Sequence, residues 1–177
     1  MDGKIILNLA ISIDGYIADE DGGYDWIRGD GKDALNTDAV WKHEEFLKSV
    51  AAVVMGKRCY DQGFHLEYRD RPVYVATSGE PDVRGNVRFI GGDVCGAVAG
   101  LKRNAGGDIY LFGGGKLADG FIKAGLVDEY VIGLIPVILG GGIPLFRGGN
   151  PTLPLELTHY YVENGIVVLR YVPRKDD

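Results

Sequence analysis

The chain has 177 residues and a formal net charge of -6, with 46% hydrophobic and 25% charged residues. These values are typical of a soluble globular protein, and the length predicts one domain over residues 1–177. The negative charge argues against a nucleic-acid-binding surface, and no apolar run approaches the length of a membrane span. We therefore expect neither nucleic acid nor membrane as a partner.

The cysteines and histidines give no sign of a metal site. Cys59 and Cys95 lie far apart, and His43, His65 and His159 are scattered, so no metal-ligand or redox spacing is formed. We predict no bound metal and two reduced thiols in a cytoplasmic protein. The first strand begins almost at the first residue, so no signal peptide is expected.

The first predicted strand, Lys4–Ile13, alternates apolar with small or polar residues and ends at the turn Asp14-Gly15. An acidic loop, Asp19–Asp25, follows it. We interpret this loop as a mobile flap, which Trp26 and Ile27 would anchor to the protein.

A helix capped by Asn36 or Thr37 is predicted to run to about Val50. The buried strand Ala51–Met55 comes next and leads directly into Gly56-Lys57-Arg58-Cys59. Two adjacent cations after a strand end and a glycine form a candidate phosphate site. Taken alone, they are equally compatible with a solvated turn.

Two further strands and a helix are predicted in the middle of the chain. Val73–Thr77 ends in the hydroxyl pair Thr77-Ser78, and Val87–Ile90 forms the following strand. Asp93 is predicted to cap a helix of small residues that continues through Lys102. The paired hydroxyls place polar groups at the carboxyl end of a strand.

The stretch Ile109–Lys116 is the strongest functional signal in the chain. A short apolar strand is followed by Gly113-Gly114-Gly115 and then by a helical pattern that Gly125 would end. Free N–H groups and the positive end of a helix dipole would converge at such a turn, which favours a phosphate. The alternative interpretation is a tight turn that needs glycine for its dihedral angles.

Two common phosphate motifs do not fit this stretch. A Walker loop requires Ser or Thr after its lysine, and Lys116 is followed by Leu117. The Rossmann pattern requires an acidic residue about 20 positions later, whereas Asp128 comes early and begins a strand. A Rossmann domain is therefore not expected.

The last third of the chain is predicted to be mostly strand. Leu126–Leu139 is interpreted as one long strand, with Pro136 marking a bulge or an edge position. Leu155–Val162 and Ile166–Val172 would then form a hairpin around the turn signal Asn164-Gly165.

Strands separated by helices predict parallel neighbours, and the closing hairpin adds antiparallel ones. The predicted fold is therefore an α/β three-layer sandwich around a mixed, mostly parallel sheet with a C-terminal antiparallel hairpin. Ligands of such sheets bind at the carboxyl ends of the strands. The polar and glycine clusters found at these ends predict a nucleotide cleft: Asp14, Gly56–Cys59, Thr77-Ser78 and Gly113–Lys116.

Several motifs together resemble one known family over nearly the whole chain. The chain is similar to the dihydrofolate-reductase-like fold, and specifically to the reductase domain of the bifunctional riboflavin-biosynthesis deaminase-reductase. The motifs that carry the resemblance are Ser12–Gly15, Asp25-Trp26, Val54–Tyr60, Phe112–Gly115 and the run from Asp128-Glu129 through Pro136 to Gly141-Gly142.

The resemblance implies NADPH as cofactor. Gly113–Gly115 would hold its pyrophosphate, and Lys57-Arg58 with Thr77-Ser78 the 2′-phosphate. Gly56 and Lys116 are also expected to bind the cofactor. Cys59 stands where relatives usually carry Thr, whose hydroxyl assists the pyrophosphate. Related reductase domains pair, and an exposed sheet edge at Leu126–Leu139 and the hairpin would need covering, so we expect a homodimer.

The expected function is NADPH-dependent reduction of a small heterocyclic or ribosylamino substrate, most like the riboflavin-pathway aminopyrimidine ribose phosphate. Alternatives are a dihydrofolate reductase, with Glu44 as the nearest counterpart of its pterin-binding carboxylate, and a nucleotide-binding module without turnover. Trp26 is expected on the substrate side of the cleft. Asp14 is expected there too, either as a hydrogen-bond partner or proton relay for the substrate, or as the cap of its own turn.

Overall fold

The computed structural model of the protein describes residues 3–174. The predicted domain, 1–177, extends past both ends of this range. The strands are β1 Ile5–Ser12, β2 Tyr16–Ala18, β3 Val50–Gly56, β4 Val73–Ala76, β5 Asp82–Arg84, β6 Val87–Ile90, β7 Asp108–Gly113, β8 Glu129–Ile135, β9 Ile143–Pro144, β10 Leu155–Glu163 and β11 Ile166–Pro173. The helices are α1 His43–Ser49, α2 Lys57–Asp61, α3 Val94–Lys102 and α4 Gly115–Lys123, with a 3₁₀ turn at Phe64–Tyr68.

Nine strands form one mixed sheet in the order β10-β11-β8-β1-β7-β3-β4-β6-β5, and β2 pairs with β9 separately. The six consecutive strands β8-β1-β7-β3-β4-β6 run parallel to one another. β11, β10 and β5 add antiparallel strands at the two sides. The carboxyl ends of the parallel strands therefore share one edge of the sheet.

Helices cover both faces of the sheet. On one face, Phe121 of α4 and Val98 of α3 pack in a core that includes Leu111 of β7. On the other face, Phe46 of α1 packs in a core with Val53 of β3. The predicted three-layer sandwich around a mostly parallel sheet is confirmed, and so is its C-terminal antiparallel hairpin.

Short sequence motifs correctly predicted the start of one helix and the position of the hairpin turn. Asp93 caps α3, with its carboxylate accepting a hydrogen bond from the N–H of Gly96 at 2.9 Å. The hairpin turns at Asn164-Gly165, where both residues have positive φ, 50° and 80°. Such a pair is the type I′ turn that suits the twist of two antiparallel strands.

The first helix begins later than predicted. α1 starts at His43, and Val50 is already the first residue of β3. Asn36 and Thr37 are not helix caps, because their side chains accept hydrogen bonds from the hairpin backbone instead. The N–H of Val162 donates to Thr37 Oγ1 at 2.9 Å, and that of Asn164 to Asn36 Oδ1 at 2.8 Å.

The predicted long strand Leu126–Leu139 is also wrong in its limits. β8 ends at Ile135, and Pro136 follows it rather than lying inside it. Glycine turns with φ of 74° at Gly140 and 141° at Gly142 then lead into β9, which pairs with β2. β8 lies inside the sheet between β11 and β1, so the exposed edge belongs to β10.

Within residues 3–174, no helix has the length and apolarity that crossing a bilayer requires. In the same range, no three residues among His, Cys, Asp and Glu are grouped closely enough to hold a metal ion.

Candidate nucleotide-binding cleft

A cleft of about 1010 Å³ opens at the carboxyl edge of the parallel strands. β1, β3, β4 and β7 each end at it, and the flap 19–25 and the N-terminal ends of α2, α3 and α4 complete its walls. Every residue predicted to bind cofactor lines this cleft except Gly113: Gly56, Lys57, Arg58, Cys59, Thr77, Ser78, Gly114, Gly115 and Lys116.

The glycine triplet forms the floor of the cleft where β7 turns into α4. Gly113 has a φ of 116°, which residues with a side chain rarely adopt. A Cβ at Gly115 would lie 2.6 Å from the carbonyl oxygen of Pro144, so this position has room only for glycine. A Cβ at Gly114 would meet only Cys59 Sγ, at 3.9 Å. The remaining side of Gly114 therefore faces open space, into which α4 directs its first N–H groups.

The two predicted cations lie on α2, which begins directly after Gly56. Lys57 forms an exposed ion pair with Asp61 one helical turn later. Arg58 donates a hydrogen bond from its guanidinium to the carbonyl of Asp21 at 2.9 Å. Gln62 likewise donates to the carbonyl of Gly22 at 3.1 Å. α2 thus attaches the flap to the cleft through two backbone carbonyls.

The hydroxyl pair lies at the end of β4, as the sequence predicted. Thr77 Oγ1 accepts a hydrogen bond from the N–H of Gly79 at 3.0 Å. Its own O–H proton is therefore free to donate to a ligand. Asp93 also lines this part of the cleft, with its carboxylate engaged in capping α3.

Both cysteines line the cleft. Their wide separation in sequence gave no sign that they share one site. Cys59 lies against the glycine turn, and Cys95 lies in the first turn of α3. Burial raises the pKa of the Cys59 thiol above its usual value, although N–H groups of Gly56 and Gly114 partly oppose this. Burial likewise raises the pKa of the Cys95 thiol.

Apolar residues form another part of the cleft lining. Tyr24 of the flap packs on Phe64, with ring centroids 5.3 Å apart, and Phe64 packs on Phe112, at 5.0 Å. Sequence reasoning missed this group because its members come from five separate segments. Only the alternation of β1 and the apolar residues of the flap could have indicated it. The residues of this apolar lining are Leu9, Ala10, Ile17, Ala18, Tyr24, Ile27, Phe64 and Phe112.

The residues predicted on the substrate side do not line the cleft. Trp26 donates from its indole N–H to the carbonyl of Gly23 at 3.2 Å, while its neighbours Tyr24 and Ile27 face the cleft instead. Glu44 lies exposed on α1. Asp14 lies outside the lining as well, at the turn between β1 and β2.

The carboxylate of Asp14 is occupied by neighbouring donors. The hydroxyl of Ser12 donates to Oδ1 at 2.6 Å, and the N–H groups of Leu139 and Gly140 donate to Oδ1 at 3.1 Å and Oδ2 at 2.7 Å. The bond from Ser12, followed by those from Gly140 and Leu139, lowers the pKa of Asp14. Asp14 thereby ties the end of β1 to the glycine-rich segment that follows β8.

His43 packs at the first turn of α1 against two aromatic rings. Its ring centroid lies 5.7 Å from that of Phe46 and 5.9 Å from that of Tyr110. Burial lowers the pKa of His43, with Glu67 opposing the shift. Tyr110 in turn donates its hydroxyl proton to the carbonyl of Asn8 at 3.0 Å. Phe46 and Tyr110 belong to the core on the α1 face of the sheet, and His43 lies exposed at its margin.

Comparison with protein families matches residues 3–168 to the RibD C-terminal domain. The chain belongs to this family. The uncharacterized protein YwjB of Bacillus subtilis is 36% identical over 181 residues, covering 97% of this chain and 99% of the relative. The family resemblance expected from the motifs is thereby confirmed.

Two solved structures support the same fold. The first is the diaminohydroxyphosphoribosylaminopyrimidine deaminase/5-amino-6-(5-phosphoribosylamino)uracil reductase of Thermotoga maritima, at a TM-score of 0.71 and 18% identity. It covers 98% of this chain, while this chain covers 57% of that protein. The second is dihydrofolate reductase from Enterococcus faecalis in complex with NADP(H), at a TM-score of 0.62 and 16% identity, with 99% of each chain covered. The dihydrofolate-reductase-like fold is thus shown.

Proposed function

We propose that the protein is an NADPH-dependent reductase of a small heterocyclic or ribosylamino substrate. The observation that carries this proposal is that one cleft combines a polar lining with an apolar lining. The polar lining combines a side-chain-free glycine turn with two cations and two hydroxyls. Phosphates need donors of this kind, whereas a planar ring system needs the apolar surface found in the same cleft.

The residues present fit a dinucleotide. The open side of Gly114 allows a pyrophosphate to approach the backbone, and the first N–H groups of α4 would donate to it. Lys57, Arg58 and the hydroxyls of Thr77 and Ser78 would hold the 2′-phosphate that distinguishes NADPH from NADH. When bound, the cofactor supplies hydride to an electrophilic carbon of the substrate.

The apolar lining would orient the heterocyclic ring of the substrate and keep water from it. Tyr24, Phe64 and Phe112 form a continuous aromatic wall there. Because Tyr24 belongs to the flap that Arg58 and Gln62 attach to α2, cofactor binding at α2 and closure over the substrate would be coupled. The family and the Thermotoga structure support an aminopyrimidine ribose phosphate as the substrate class.

The alternative of a dihydrofolate reductase has less support. A pterin ring requires a buried carboxylate beside it, and among the described residues Asp93 is the only acidic residue that lines the cleft. Asp93 lies in the polar lining and caps α3. Glu44, the counterpart suggested by the sequence, is exposed on α1 outside the cleft.

Spectrophotometric assays of NADPH oxidation over a panel of aminopyrimidine ribosides, their phosphates and pterins test the activity. Oxidation with a phosphorylated aminopyrimidine and none with dihydrofolate is the expected result. Tight NADPH binding without oxidation of any substrate would instead favour a nucleotide-binding module.

The placement of the pyrophosphate is tested separately with Gly114→Val. Its side chain would fill the open face of the turn, so the dissociation constant for NADPH should rise about tenfold or more while the melting temperature is retained. Gly100→Val in α3, where a Cβ meets no atom within 4 Å, is the matched control and should bind NADPH normally. An unchanged dissociation constant in folded Gly114→Val would remove the pyrophosphate from this turn.

A further inference from the structure

The cleft concentrates positive charge on a negatively charged protein. The whole chain carries a net charge of -6. Four cationic side chains nevertheless line the cleft, and within residues 3–174 only one carboxylate, that of Asp93, accompanies them. The cations are Lys57, Arg58, Lys116 and Arg147. Such a local excess favours a ligand with several negative charges.

These four cations differ in whether another group of the protein already forms an ion pair or a hydrogen bond with them. Lys57 is paired with Asp61, and Arg58 is bonded to the carbonyl of Asp21. Within the part of the chain that the structure describes, no carboxylate lies within ion-pair distance of Lys116 or Arg147. Both residues are exposed and line the cleft, so their charges are accessible to a ligand bound there.

Arg147 lies on a segment that is fixed against the glycine turn. Leu145, two residues earlier, is fully buried, and its N–H donates to the carbonyl of Gly15 at 3.0 Å. The carbonyl of Pro144 contacts Gly115, at the start of α4. A Cβ at Gly149 would lie 3.9 Å from Lys123 Nζ, at the end of the same helix. The segment carrying Arg147 therefore runs along α4, beside the helix that begins with Gly115 and Lys116.

We propose that Arg147, together with Lys116, binds a phosphate group of the ligand on the α4 side of the cleft. The site is separate from the Lys57-Arg58 pair on α2, so the cleft holds phosphate at two positions. Guanidinium suits this task because its planar N–H groups match two phosphate oxygens at once. The proposal rests on the proposed function in that the phosphate belongs either to the dinucleotide cofactor or to the substrate.

The test compares Arg147→Gln with Arg103→Gln, an exposed arginine at the far end of α3, as the control. Calorimetry measures binding of inorganic pyrophosphate, of NADPH, and of ribose 5-phosphate to the NADPH complex. Arg147→Gln should raise the dissociation constant of at least one of these probes by about tenfold or more, since a charge-assisted contact is lost. Arg147→Lys should recover part of the affinity, and Arg103→Gln should leave all three unchanged.

The probe that is affected identifies the source of the phosphate. Weaker NADPH binding with unchanged ribose 5-phosphate binding assigns Arg147 to the cofactor, and the opposite result assigns it to the substrate. If the protein does not bind NADPH but binds pyrophosphate, and Arg147→Gln weakens that binding, the proposed function is refuted and the phosphate site at Arg147 is supported. Unchanged affinities for all three probes, or no binding of any of them by the unmodified protein, would overturn the proposal.

Discussion

The sequence leaves two roles open for Asp14: a catalytic or substrate-binding group at the end of β1, or the cap of its own turn. In the structure its carboxylate accepts bonds from a hydroxyl and two backbone N–H groups, and it is absent from the cleft lining. A carboxylate satisfied in this way is a poor proton acceptor, because the same bonds lower its pKa.

Asp14→Asn distinguishes the two roles. A folded-state pKa below the unfolded value stabilises the protein above the unfolded pKa, and this stabilisation is lost as pH falls through the folded pKa. Asn removes the charge, so the variant should be less stable at neutral pH and equal to the unmodified protein in strong acid. NADPH binding and turnover should change little. Thermal melts from pH 2 to pH 7 and steady-state assays measure these effects.

A catalytic role for Asp14 would give a different result in the same variant. Turnover would then fall by about a hundredfold, the typical contribution of a general acid or base, while the melting curves at all pH values stayed unchanged. Ser12→Ala is a useful companion, because it removes the main cause of the pKa shift without touching the carboxylate.

At the scale of elements, the sequence predicts the limits of a helix or turn well where neighbouring residues determine them. It predicts them poorly where a contact with a distant segment determines them. Asp93 capping α3 and Asn164-Gly165 turning the hairpin are local rules, and both hold. Asn36 and Thr37 also fit a capping rule, yet their oxygens accept bonds from the hairpin more than 120 residues away. No local pattern could show that competition.

The cleft likewise combines features that local sequence patterns indicate with features that depend on distant segments. Glycines and cations next to strand ends indicated its polar lining, because such residues mark anion sites one at a time. The aromatic wall joins the flap, the 3₁₀ turn and β7, and Arg147 follows β9, which pairs with β2. β2 and β9 are only three and two residues long, too short for periodicity to reveal them.

The Asp128-Glu129 pair shows a structural use for a motif that carried the family resemblance. Asp128 accepts a bond from the N–H of Ile5 at 2.7 Å and pairs with Lys102 at 2.7 Å. Glu129, whose side chain is 4% exposed, pairs with Lys4 at 3.1 Å and with Arg170. The motif therefore joins β1, β8, β11 and α3 at the amino edge of the sheet, opposite the cleft.

Glu129→Gln should destabilise the protein without affecting cofactor binding. Removing one partner of a fully buried ion pair costs about 3–5 kcal/mol, and the partial exposure of Lys4 and Arg170 reduces this to roughly 2–3 kcal/mol. Urea unfolding measures the change. Glu45→Gln, which breaks an ion pair between side chains that are 70% and 60% exposed, is the control. It should cost about 0.5 kcal/mol or less, and equal losses in the two variants would refute the role of the buried network.

At the scale of the whole molecule, the edge strand β10 bears on assembly. Leu155, Leu157 and Tyr160 of this strand are 38%, 47% and 60% exposed. An open edge strand carrying apolar side chains is usually covered by another chain. We expect a homodimer that buries this surface, and light scattering at micromolar concentration should give twice the monomer mass of 19.2 kDa. Leu157→Lys should shift the protein towards monomer, whereas a monomeric unmodified protein would contradict the expectation.

The cleft is proposed to bind a dinucleotide that carries a 2′-phosphate. Lys57, Arg58, Thr77 and Ser78 belong to its polar lining. The most direct test measures the dissociation constants of NADPH and NADH side by side for the unmodified protein. NADPH should bind about tenfold tighter or more, and Lys57→Ala combined with Arg58→Ala should narrow that ratio mainly by weakening NADPH. Equal dissociation constants for the two cofactors in the unmodified protein would contradict a 2′-phosphate site in this cleft.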